Sequence, residues 1–330
     1  MRKNVKQQLA LRVLSTAALM AMVSSIATAA FADTYDLNKG SVDILAEDGK
    51  QYITQWENES KGTYATDDKG EIKKRPDDDI ILTTKNKDTG ETKTTSNTVT
   101  IDAKEDNTAN VTLQDVHIET ERSWDNSGSA PIEIKGDGDT NLELNGNNTV
   151  LSGSSKHAGI EKADVNGTGT LTIKDDNGKD GSLTAEGGDD GAGIGGGIGS
   201  TGSSITIRGG TIEAVGGAGA AGIGDGVGAQ QPEIDQDTPP SNPNNIIICG
   251  DAEVTAKAGR SQMLDAKAPA IGGKYGEVPT ENLSDEEHKV TGGRLTRLNA
   301  DGTVMEGMGY DYTSTPTPQP DDDDDDVPPL

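Results

Sequence analysis

The sequence predicts an all-β chain: a right-handed parallel β-helix with three strands per turn and about 29 residues per turn. Three observations carry this expectation. A glycine-rich phrase recurs, most clearly as Ala192-Gly-Ile-Gly-Gly-Gly and Ala221-Gly-Ile-Gly-Asp-Gly. Between its copies stand short phrases with apolar residues two apart, the pattern of half-buried strands. Gly, Asn, Asp and Ser fill the gaps and turn the chain. A repeat of near-constant length of this kind marks a solenoid.

The cleanest circuit runs Ile194, Ile205/Ile207, Ile212/Ala214, Ile223, and takes 29 residues. Earlier circuits run Ile132/Ile134, Leu142/Leu144, Val150/Ser152, Ile160, and then Leu171/Ile173, Leu183/Ala185, Ile194. A later one runs Ile223, Ile246/Ile248, Val254/Ala256, Ile271, and a leading one passes Val99/Ile101, Val111/Leu113 and Ile118. Val111, Leu142, Leu171, Ile205 and Ile246 are expected to stack down one inner wall, with Thr112, Glu143, Thr172, Thr206 and Ile247 outside. Turns stacked at roughly 4.8 Å satisfy each other's backbone groups. A sandwich of hairpins would not require equivalent residues at this spacing, and no unit carries the helical phrase of a leucine-rich repeat.

Residues 1–32 read as a secretory signal. Arg2, Lys3, Lys6 and Arg12 make a basic start, Val13 to Ala30 is apolar and small, and Ala30-Phe31-Ala32 fits a cleavage site. No other stretch is long and apolar enough to span a bilayer. Residues 33–98 are expected to form an N-terminal cap with the first strands (Tyr35-Asp-Leu37, Val42-Asp-Ile44, Ile80-Ile-Leu82). The helix turns occupy 99–273. A C-terminal cap follows over 274–312, with Val290, Leu295, Leu298 and Val304 as strand positions. Residues 313–330, rich in Pro and Asp, read as a stiff, self-repelling linker or tail.

The formal charge is −27, and removal of the signal, which takes away four cations and no acid, leaves −31. Such a surface repels nucleic acid and anionic membranes. It suits an extracellular protein that meets neutral polymers, cations, or anions bridged by cations. Cys249 is the only cysteine, so no intramolecular disulfide forms. Phenylalanine is absent after Phe31, so the core must be built from Ile, Leu, Val and Ala.

Several phrases, in order, resemble one family. They are Ala130-Pro-Ile-Glu-Ile, His157-Ala-Gly-Ile, Gly191-Ala-Gly-Ile-Gly-Gly-Gly, Ile205-Thr-Ile-Arg-Gly-Gly-Thr-Ile-Glu-Ala and Ala221-Gly-Ile-Gly. Tyr35-Asp-Leu and Val111-Thr-Leu-Gln-Asp-Val-His-Ile are similar to it as well. The family is the carbohydrate-binding β-helix proteins, secreted or surface-held, of Gram-positive anaerobes. The resemblance covers roughly residues 35–275. It implies a pectate-lyase-like β-helix, binding of plant-type polysaccharide such as cellulose or polygalacturonate, and bound Ca²⁺, with no catalytic activity. Many relatives continue into a sorting signal or surface-layer repeats, and neither is present in these residues.

Candidate sites follow from the residues. Gly191-Ala-Gly-Ile-Gly-Gly and Gly217-Ala-Gly-Ala-Ala-Gly match the dinucleotide-binding fingerprint only formally, because no helix pattern follows. Their glycines serve sharp bends or close approach. Stacked Gly195, Gly224 and Gly272 would alternatively make a flat band on which a polymer could lie. Aligning Leu142 with Leu171 sets Asp137 level with Asn166, with Asp139 and Asp164 in the same turn region. Asp175, Asp176 and Asp180, with Asn147 from the turn before, make a second oxygen-rich group. Converging oxygens suit Ca²⁺; solvated turn acids are the alternative. Trp124, in a polar loop, is a candidate sugar-stacking platform, and the alternative is that it covers the coil. Segments 229–244 and 273–289 leave from the glycine corner, and insertions often build a solenoid's binding face.

Catalysis finds little support. Asp175/Asp176 and Asp189/Asp190 are acid pairs, but the Gly-His-Gly element and Arg-Lys pair of β-helix hydrolases are absent. Lys174 and Arg208 lie near the turn acids, where a lyase would need a base. His117, His157 and His288 are scattered without partners. The expectation is therefore an extracellular, non-catalytic carbohydrate-binding protein, calcium-assisted, with cell wall or other surface proteins as further partners. A structural or adhesive stalk and a polysaccharide lyase or hydrolase remain open.

Overall fold

Each strand phrase carries one apolar edge, so a single circuit cannot bury its own core; the next circuit must lie on top of it. The computed structural model of the chain meets this need with three sheets built mainly from parallel strands. It describes residues 33–56, 75–124, 128–162, 169–178, 180–229, 245–260, 268–273, 276–277, 289–290, 293–305 and 310–311. Among these residues there is no α-helix, only a 3-10 turn at Leu37–Lys39.

The first sheet contains Thr108–Gln114, Asp139–Asn145, Leu171–Lys174, Ile205–Ile207 and Ile246–Ile248 in parallel array. The second contains His117–Glu119, Asn147–Leu151, Ser182–Glu186, Thr211–Val215, Glu253–Lys257 and Arg294–Leu298. The third contains Val99–Ala103, Ile132–Lys135, Ile160–Lys162, Ile194–Gly195, Ile223–Gly224 and Ile271–Gly273. From Val99 to Lys257 the chain visits the third, first and second sheets in rotation, an order compatible with a β-solenoid. Spacing along the third sheet varies, from 28 residues between Ile132 and Ile160 to 48 between Ile223 and Ile271. The 29-residue step belongs to the pair Ile194 and Ile223.

Parallel pairing extends beyond residues 99–273. Ile80–Thr83 pairs in parallel with Thr108–Gln114, and Arg294–Leu298 with Glu253–Lys257. Bare edges invite another chain to pair, and antiparallel strands cover those of the third sheet and one end of the second. Lys50–Gln55 lies against Val42–Glu47, Gly276–Glu277 against Ile271–Gly273, and Tyr310–Asp311 against Arg294–Leu298.

The interior is aliphatic: the buried cluster consists of Ile, Leu, Val and Ala, joined only by Tyr35 among aromatics. The Tyr35 hydroxyl donates to Asp77 Oδ2 at 2.9 Å. Burial, with that carboxylate beside it, pushes the phenol well above its usual range.

The register differs from the expected one by two residues. Thr140, not Leu142, stands opposite Leu171, and Leu142 stands opposite Ile173. One inner row is Val111, Leu142, Ile173, Ile207, Ile248; the next is Ala109, Thr140, Leu171, Ile205, Ile246. The cause is Thr140, a fully buried hydroxyl residue on an inward rung, which breaks the apolar pattern. The second sheet shows the same shift, with Asn148 opposite Leu183 and Val150 opposite Ala185. A slip of two preserves which face each side chain occupies, so the expected inside and outside hold. The outer row, however, divides into Thr112, Glu143, Lys174 and, beside it, Asn110, Asn141, Thr172, Thr206, Ile247.

Candidate functional site

The corners that follow the second sheet bring together the exposed groups of interest. Trp124 lies just past Ser123, which bridges to Ser154 of the next turn. It is 68% exposed, and the Arg122 guanidinium carbon lies 5.7 Å from its ring centroid. That is cation–π range. An indole held by a cation on an exposed corner suits stacking against the C–H face of a sugar.

One turn further on, the same corner holds His157. Its Nδ1 lies 2.8 Å from Glu161 Oε2, which also accepts the Ala158 N–H at 3.0 Å. The hydrogen bond to Glu161 raises the His157 pKa; burial opposes it, and the charges of Glu161 and Glu133 reinforce it. Sequence alone gives His157 no partner. The available signal was the spacing of four between His157 and Glu161, which across a β-corner has no helical meaning. Ile198, 43% exposed, anchors over this corner through its N–H to the Lys156 carbonyl. Val227 repeats the contact one turn later on the Asp190 carbonyl. His117 lies on the outer side of the second sheet, and His288 is outside the described residues.

Gly195, Gly224 and Gly272 stack in register. They do not form an open band, because all three are buried. Their φ angles are +138°, +131° and +118°. A Cβ on Gly195 would overlap the Gly224 carbonyl oxygen, and one on Gly224 the Gly272 carbonyl oxygen. The segment after Gly195 folds back over the column: a Cβ at Gly202 would collide with Gly224 and Gly195. Close backbone packing accounts for these glycines, and the flat platform expected of them is corrected.

The acids expected to gather around Ca²⁺ have other partners or stand apart. Asp139 Oδ1 accepts from both the N–H and the hydroxyl of Thr170, at 2.9 and 2.8 Å. With the corrected register it is Asp139, not Asp137, that faces this turn. Asp137 is an exposed turn residue, and Asp164 and Asn166 lie outside the described residues. Asn147 Oδ1 accepts from the Ser182 hydroxyl at 3.0 Å. Asp175 is buried and accepts the Gly181 N–H at 2.9 Å. Asp176 is bound by Lys174 at 3.0 Å and Arg208 at 3.1 Å, and the hydrogen bond from Lys174 holds its carboxyl below the usual range. Asp180 joins neither partner set. Among the described residues no three His, Cys, Asp or Glu groups converge on a point that would hold a metal ion.

Lys174 also lies 3.1 Å from the buried Glu143, which accepts the N–H groups of Asp176 and Asn177. Burial would lower the Lys174 pKa, but the hydrogen bonds to Asp176 and Glu143 win and raise it. A lysine held as a cation in this way is a poor proton acceptor. Cys249, next to Arg208 on this face, has its thiol pushed up by burial, which leaves it weakly nucleophilic.

The second sheet presents the most regular outer side. His117, Thr149, Thr184, Glu213, Thr255 and Thr296 form one column. Glu119, Leu151, Glu186, Val215, Lys257 and Leu298 form the column nearest the Trp124 corner. Every one of these side chains is partly open to solvent. Compared with family models, curated proteins and solved structures, the chain matches none.

Proposed function

We propose that the chain is an extracellular, non-catalytic carbohydrate-binding protein built as a right-handed parallel β-helix, a member in kind of the family its phrases resemble. Plant-type polysaccharide such as cellulose or pectate is the ligand class. The single observation that carries this is Trp124: an indole 68% exposed, with Arg122 over its ring, just past the bridge from Ser123 to Ser154. Its open indole face offers the flat apolar area on which the C–H face of a sugar ring stacks. Lys174, held as a cation by Glu143 and Asp176, supports the non-catalytic reading. Calcium enters as an ion bridging solvated turn carboxylates such as Asp137 to an acidic glycan. The described acids do not fit a preformed cage.

Retention of the secreted chain on insoluble cellulose and on pectate gels, with and without EDTA, tests this. The chain is expected to be retained, and Trp124→Ala to weaken retention by about tenfold, in line with one stacking contact of roughly 1–2 kcal/mol. Loss of pectate binding alone in EDTA supports calcium bridging. No retention on any glycan, or release of unsaturated or reducing ends from polygalacturonate, contradicts it.

A further inference from the structure

We propose that the outer side of the second sheet, flanked by Trp124, is the glycan-binding face, and that it selects a linear, uncharged glycan laid along the stack over a polyuronate. This rests on the carbohydrate-binding reading and narrows it to one surface and one charge class.

Three features point to this face. First, it is regular over five consecutive turns, Asn147–Leu151 to Arg294–Leu298, all in register. A surface repeated by translation matches a ligand that is itself a repeat, and a linear polymer is such a ligand. Second, its chemistry alternates with a period of two turns. Leu151, Val215 and Leu298 are aliphatic; Glu186 and Lys257, between them, are charged. Two strand spacings come to about 9.6 Å. A β-1,4-linked glycan flips alternate rings, so its repeat is also a pair of residues. Every second ring would set its C–H face on an aliphatic side chain, and hydroxyls would meet the column of Thr149, Thr184, Thr255 and Thr296. A threonine hydroxyl both donates and accepts, which fits a partner made of hydroxyls.

Third, this face carries more acids than cations, as does the whole chain at −27. Glu119, Glu186, Glu213 and Glu253 stand against Lys257 and Arg294, and Arg294 lies 2.6 Å from Glu253. No cationic row is left over to hold a line of carboxylates, and the excess acids repel a polyanion but not a neutral polymer. The other two sheets offer less. The outer row of the third ends in the buried glycines. An ion-pair chain through Glu143, Lys174, Asp176 and Arg208 crosses the first.

The test uses the full chain and two double variants that remove hydroxyls while keeping shape. Thr184→Val with Thr255→Val alters the second sheet; Thr172→Val with Thr206→Val makes the same change on the first. Retention is measured on insoluble cellulose and on polygalacturonate gel without added calcium, with melting curves to show that each variant folds. The wild-type chain is expected to prefer the neutral polymer. The second-sheet variant is expected to lose about tenfold or more, as two hydrogen-bonding groups are removed, and the first-sheet variant to bind as wild type. Wild-type binding with equal retention of both variants overturns the face but leaves carbohydrate binding standing. Preference for polygalacturonate overturns the charge selection. No wild-type retention on either polymer overturns both this inference and the reading beneath it.

Discussion

At Gly224 the backbone adopts φ +131° while the next turn's Gly272 carbonyl lies where a Cβ would sit. Both constraints exclude a side chain, and the stack repeats them at Gly195. Gly224→Ala is expected to cost about 2–4 kcal/mol, since overpacking and a forbidden backbone act together. Gly199→Ala is the contrast. It shares a positive φ, +76°, but nothing lies within 4 Å of its absent Cβ, so only the left-handed penalty of about 1–2 kcal/mol applies. Urea unfolding of the two variants separates these costs, and equal values would remove the packing argument. His157 supplies a pH signature. Its pKa is raised in the fold above the ordinary 6.5 by Glu161. The pair's stabilisation is therefore complete below about 6.5 and fades as pH climbs through the raised folded value. The melting temperature of wild type is expected to exceed that of His157→Gln more at pH 5.5 than at pH 9. A constant difference would mean that the ion pair contributes nothing.

At the scale of strands, one buried amide shows what pins the turns. Asn148 occupies an inward rung opposite Leu183. Its Oδ1 accepts the Val116 N–H at 3.0 Å, and its Nδ2 donates to the Ser182 carbonyl at 3.1 Å. The side chain thus ties three successive turns. Asn148→Leu leaves the Val116 N–H buried and unpaired, and is expected to lower stability by about 1–3 kcal/mol despite the added apolar volume. Thermal or urea unfolding gives the value; a stabilised variant would sink this role. Asn148 also explains what the sequence did not disclose. In Asn145-Gly-Asn-Asn-Thr it stands among turn-forming residues, and Thr140 carries a hydroxyl where the pattern calls for an apolar side chain. Both are inward rungs, so register taken from the first apolar residue slips by two. Strand existence, strand face and the aliphatic core were legible, because alternation survives such a slip. The partners of Asp139, Asp176 and His157 were not, because each depends on register or on a corner's path. Whether Trp124 stood open or covered the coil was not legible; the glycine strip was legible as a corner, but its burial needed the segment that folds back over it.

At the scale of the whole molecule, stability is close to a sum of stacked interfaces between neighbouring turns. Antiparallel strands close both ends of the third sheet and one end of the second. Acidic self-repulsion works against the stack, with 56 acids facing 29 cations in the full chain. Melting temperature is expected to rise between about 10 and 200 mM NaCl as the Debye length shrinks from about 30 Å to under 10 Å. A fall would mean that the surface ion pairs, Lys174–Asp176 and Arg294–Glu253 among them, outweigh the repulsion. The proposed glycan face requires that the turns stack in the observed register, and that register has a direct measure. Thr149 and Thr296 lie in one column, four turns apart. Spin labels on Thr149→Cys and Thr296→Cys, in a chain with Cys249→Ser, report their separation by pulsed dipolar spectroscopy. The stack requires a backbone separation of about 19 Å, four strand spacings; a narrow distribution far beyond that would contradict it.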